Sequence, residues 1–75
     1  MSPGPEAMSI GALVRRRRKA NGMTQVELAE LAGVGTRLVS ELERDKPSLR
    51  MDGVNRVLAV FGLVLAPVPF EGTAP

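Results

Sequence analysis

The sequence predicts an all-α domain of four to five short helices, closed by one C-terminal strand. Three observations predict it. Apolar residues recur at helical spacing in four stretches, around Val14, Leu28, Val39 and Val57. Caps and breakers separate those stretches: Ser9, Asn21-Gly22, Thr24, Gly33, Pro47 and Gly62. Only residues 63–68 are β-branched and apolar on both faces. At 75 residues there is room for one domain and one small core.

The first helix is expected over Ser9 to Asn21, with Ser9 as N-cap and Asn21-Gly22 as the stop. Ile10, Val14 and Arg18 follow one another at i+4 and share a face. Leu13, Arg17 and Ala20 lie to one side of it, and Arg15, Arg16 and Lys19 point away. Thr24 and Glu27 form a capping box for the second helix, which runs to about Ala32. Leu28, Leu31 and Ala32 are its expected buried stripe, with Ala29 beside them. Gly33 suits the positive φ of a helix end.

A third helix follows at about Thr36 to Arg44. At about 100° per residue, Thr36, Arg37, Ser40, Glu41 and Arg44 fall on one arc, with Leu38, Val39 and Leu42 opposite. One face is polar and made for contact; the other packs. Asp45 to Arg50 is a loop broken by Pro47. A fourth helix covers about Met51 to Phe61, with Val54, Val57, Leu58 and Phe61 at core spacing. Residues 1–8 read as a disordered lead, 9–62 as the folded domain, 63–69 as a strand and 70–75 as a flexible tail.

A lone strand has unpaired backbone groups. No other segment reads as its partner, so the economical solution is the same strand of a second copy across a two-fold axis. Leu63, Val64, Leu65 and Val68 then form a homodimer interface, the ladder ending at Pro67.

Composition excludes most catalysis. There is no His and no Cys, so there is no imidazole base, no thiolate nucleophile and no thiolate or imidazole metal ligand. Neither a cofactor nor a metal site is expected, and eight carboxylates show no acid–base spacing. The longest apolar run, Val57 to Ala66, falls far short of the roughly 20 residues that span a bilayer. No basic-then-apolar leader is visible, so a cytoplasmic location is expected and no membrane partner. Half of the ten basic residues lie in the run Arg15 to Lys19. Such a run suits a polyanion, or is simply a solvated helix face.

Residues 25–44 make one mechanical unit. Ala29 lets two helices approach closely, Gly33 permits a sharp bend, and Val39 and Leu42 lock the second helix on the first. This is helix-turn-helix geometry, whose second helix enters the DNA major groove. The stretch MTQVELAELAGVGTRLVSELERDKPSL resembles the helix-turn-helix domain of the Cro/C1 (XRE) type found in phage repressors. With RVLAVFGLVLAPV following, the chain over about residues 9–68 most resembles the HipB-type antitoxins.

The resemblance implies a lambda-repressor-like bundle that binds double-stranded DNA as a dimeric repressor, on a palindromic operator. It implies base reading by Thr36, Arg37, Ser40 and Glu41. Arg37 is the candidate for a bidentate guanine contact; Glu41 either accepts from a cytosine amino group or disfavours wrong sequences. Phosphate candidates are Gln25 and Thr24 at the start of the second helix, with Arg15, Lys19, Arg44 and Lys46. Arg15, Arg16 and Lys19 read either as phosphate contacts or simply as solvated charge. Arg18 and Glu43 are implied as a structural ion pair. A HipA-like toxin kinase is an implied partner. A different reading makes the protein an interaction antitoxin or adaptor, with the helix-turn-helix as scaffold. The chain departs from the family twice: Gly35 stands where Ser or Thr usually caps the third helix, and Asp45 where Gly usually follows it. Asp45 is expected to set an acid near the DNA side, offset by Lys46.

Overall fold

A computed structural model describes residues 8–69. The expected tail and all but Met8 of the expected lead lie outside these residues. Four helices follow in order: α1 (Ile10–Ala20), α2 (Gln25–Ala32), α3 (Thr36–Glu43) and α4 (Met51–Val60).

Local chemistry sets the helix ends. Ser9 Oγ accepts from the Ala12 N–H at 3.0 Å and starts α1. The capping box of α2 is complete: Thr24 Oγ1 accepts from the Glu27 N–H at 3.0 Å, and Glu27 Oε1 accepts from the Thr24 N–H at 2.8 Å. Gly33 ends α2 at φ 71°, a left-handed conformation that costs glycine little. Gly35 starts α3 with no side-chain cap.

Val14, Leu28, Ala29, Val39, Leu42, Val54, Val57 and Leu58 form one buried cluster. Burying each Val or Leu side chain contributes about 1.5–3 kcal/mol. Through it α2 packs on α3 and α4, and α1 on α3.

Leu31 departs from expectation: it is exposed. At about 100° per residue, Gln25, Leu28, Ala29 and Ala32 share the inward arc of α2, and Leu31 lies beyond its edge. The arc therefore includes a polar residue, Gln25, which is half-buried. Two glycines sit at close approaches. A Cβ on Gly11 would strike the Leu42 carbonyl oxygen, and one on Gly53 would meet Leu38 Cδ1 at 2.5 Å.

Among the described residues there is no strand. Among the described residues the expected strand over 63–69 forms no ladder, since no second described segment pairs with its backbone. Leu63 and Leu65 pack on the core. The Leu63 N–H donates to the Leu58 carbonyl, and the Leu65 N–H to Asn55 Oδ1, both at 3.0 Å. Val64, Ala66 and Val68 are exposed. One face is covered and the other is open.

Candidate nucleic-acid interface

The unit α2–turn–α3 is held from three sides. Ala29, on the inward arc of α2, is buried. The Val34 N–H donates to the Ala29 carbonyl at 3.0 Å, which fixes the short turn. Arg56 of α4 donates through Nη1 to the Gly33 carbonyl at 3.3 Å. Nothing in the local pattern around Arg56 announced this role.

Arg18 and Glu43 join α1 to α3. Arg18 Nε and Nη2 donate to Glu43 Oε2 and Oε1 at 2.7 and 2.9 Å, and Arg18 Nη1 donates to the Met23 carbonyl at 2.9 Å. The side chains are 11% and 4% exposed. Gln25 Nε2 adds a bond to Glu43 Oε1 at 3.2 Å. Burial alone would push the Glu43 carboxyl up; the bonds from Arg18 and Gln25 outweigh it and hold the group below its ordinary value. The nearby charge of Arg15 acts the same way.

Thr36, Arg37 and Arg44 are exposed, and Ser40 and Glu41 are half-buried. Glu41 Oε2 accepts from Arg37 Nε at 3.1 Å and from Lys46 Nζ at 3.3 Å. The Arg37 bond, with help from Lys46, holds the Glu41 carboxyl below its ordinary value against desolvation.

The end of α3 corrects the expectation for Asp45. Asp45 adopts φ 59°. The Lys46 N–H donates to the Glu41 carbonyl and the Asp45 N–H to the Leu42 carbonyl, both at 3.0 Å. This is a Schellman closure, and the same pattern ends α1 at Gly22 and α4 at Gly62. At α3 an aspartate holds the left-handed place. Its carboxylate turns to α1, not to the exposed face. Oδ2 accepts from Ser9 Oγ at 3.0 Å and Oδ1 from the Gly11 N–H at 3.2 Å. Asp45 thus caps α1 and ties its first turn to the end of α3. A carboxylate there also suits the positive end of the helix dipole.

The remaining sequence candidates are placed as follows. Arg15 and Lys19 are exposed on α1, and Lys46 is exposed after α3. Thr24 is exposed, with its oxygen engaged by the Glu27 N–H. Gln25 has its side chain in the Glu43 network, so its expected place at a phosphate rests on its backbone and its second amide hydrogen. Leu63 and Leu65 face the core, while Val64 and Val68 face out. Among the described residues no group of three His, Cys, Asp or Glu could hold a metal, and no helix is long and apolar enough to cross a membrane.

Two helices joined by a sharp turn, the second with an open, cation-bearing face, define a helix-turn-helix protein. Similarity to known proteins agrees. The helix-turn-helix family profile matches residues 14–64. Over 61 residues the chain is 46% identical to an uncharacterized HTH-type transcriptional regulator, y4mF, of Sinorhizobium fredii, covering 77% of this chain and 80% of that protein. The chain belongs to the helix-turn-helix family, in its Cro/C1 (XRE) branch.

Proposed function

We propose that this protein is a sequence-specific regulator of transcription, not an enzyme, that sets α3 in the major groove of double-stranded DNA. The observation that carries the reading is the face of α3. Thr36, Arg37, Ser40 and Arg44 lie outward along it while Val39 and Leu42 anchor its back. Arg37 suits a guanine edge, and Thr36 a thymine methyl or a phosphate. The first turn of α2 at Thr24 and Gln25 suits a phosphate, and Arg15, Lys19, Arg44 and Lys46 supply further positive charge. The relative named as a transcriptional regulator supports the same reading. Such a protein works in the cytoplasm, on the nucleoid.

Selection of bound sequences from a random duplex pool tests this. An enriched motif with a preferred guanine, and affinity that falls steeply with salt, are expected. A pool that stays random after selection contradicts it.

The repressor acts, on this proposal, as a homodimer joined through residues 63–69. The open face at Val64 and Val68, beside a face already packed through Leu63 and Leu65, supports that choice. Two recognition helices then stand about 34 Å apart on a palindromic site. Deletion from Leu63 onward should give a monomer that keeps its helical content and binds half-sites weakly. A truncated protein that still sediments as a dimer removes this interface. The antitoxin role rests on the HipB-like run of the C-terminus, and capture of a HipA-like kinase by the full chain tests it. Failure there leaves the DNA-binding reading standing.

A further inference from the structure

The reading face of α3 carries an acid, and that placement is costly beside phosphates unless the charge is covered. Glu41 is covered: its side chain is 16% exposed, against 88% for Arg37. A single oxygen, Oε2, accepts from both Arg37 Nε and Lys46 Nζ. Two cations around one carboxylate leave the trio positive, so phosphate repulsion is offset. Lys46 is brought there by the backbone, since its N–H closes α3 on the Glu41 carbonyl.

The atom that Arg37 uses matters more. A guanidinium presents its donors as a rigid planar fork. The bond to Glu41 takes Nε. Among the described residues that leaves the terminal Nη1 and Nη2 groups, a pair spaced for the O6 and N7 acceptors of guanine. The carboxylate therefore fixes the plane of the guanidinium and leaves its outer edge free.

Building on the proposed reading of guanine by Arg37, we infer that Glu41 is a positioning residue that aims Arg37 and reads no base itself. Its effect on sequence preference passes through Arg37. A pair whose arginine is 88% exposed contributes little to stability, so its function shows in DNA preference and not in melting.

The test is a double-variant cycle on the full chain. The readout is the affinity ratio for duplexes with guanine or adenine at the base pair whose preference depends on Arg37. A ratio cancels the uniform gain in affinity expected on removing a negative charge. Arg37→Ala should lower the ratio by about 5- to 150-fold. Glu41→Ala should lower it by about 2- to 10-fold, the scale for ordering one long side chain. Glu41→Gln, which keeps an acceptor for Nε, should recover part of that loss. In the Arg37→Ala background, Glu41→Ala should change nothing further, and melting temperatures should match throughout. Losses that multiply in the double variant, or a loss at a different base pair, overturn the inference: Glu41 then reads a base directly. If Arg37→Ala itself leaves the preference at every base pair intact, the guanine reading falls and the inference with it.

Discussion

Two arginine–glutamate pairs meet α3, and they are built for opposite tasks. Arg18 spends all three nitrogens inside the protein, two on Glu43 and one on the Met23 carbonyl. Among the described residues, Arg37 spends only Nε, on Glu41. The first side chain is 11% exposed and the second 88%. A guanidinium with all three nitrogens engaged within the fold and 11% of its side chain exposed has little left to offer a ligand. One held by a single nitrogen is oriented but unsatisfied. Counting engaged donors therefore separates the arginine that holds the recognition helix from the one that uses it.

The largest effects should come from the buried pair. Arg18→Met leaves Glu43 charged and buried, and should cost about 3–5 kcal/mol of unfolding free energy in urea titration. For a domain whose total is about 5–15 kcal/mol, that is a large share. Replacing both partners by apolar residues should restore part of it. A loss below about 1 kcal/mol would place Arg18 with the exposed pairs. The same pair predicts a pH dependence. The folded carboxyl of Glu43 lies below its ordinary value of 4.5. Its contribution is thus complete above about pH 5 and is lost as pH falls through the unfolded and then the folded value. Glu43→Gln should flatten that acid limb, and an unchanged limb would contradict the assignment.

Intermediate effects belong to the tie between α1 and the end of α3. Gly11→Ala drives a Cβ into the Leu42 carbonyl and should cost about 1–3 kcal/mol. Asp45→Ala loses the cap on α1 and strains a residue at positive φ, for about 1–2 kcal/mol. Asp45→Gly loses the cap but relieves the backbone, so it should cost less. In thermal melts the gap between the two measures the left-handed backbone, and the cost of Asp45→Gly against the parent measures the carboxylate. Equal costs would mean that the left-handed backbone contributes nothing at this site.

The smallest stability effects belong to exposed cations. Arg15→Ala should shift stability by no more than about 0.5 kcal/mol. It should weaken binding to all sequences alike and reduce the salt slope by about one. A base-specific change would place Arg15 in a groove instead.

What the sequence revealed depended on range. Helix ends at Ser9, Thr24 and Gly33 are written in neighbouring residues, and the structure places them there. The two faces of α3 followed from its period, since Val39 and Leu42 are buried. Leu31 failed because the stripe of an eight-residue helix is set by whichever arc meets its neighbours. Asp45 failed for a deeper reason: its partners, Ser9 and Gly11, lie 36 and 34 residues away. Gly11 and Gly53 were likewise silent, because their small size matters only once α3 is beside them. Pairing of Arg18 with Glu43 came from family resemblance, and Gln25 as a third member of that network did not.

The division of labour between the two arginines is tested most directly by titrating Arg37→Ala against duplexes that differ at single base pairs. The account predicts a loss of about 1–3 kcal/mol confined to one base pair, with thermal stability unchanged. A loss spread evenly over all sequences, or a lowered melting temperature, would contradict it.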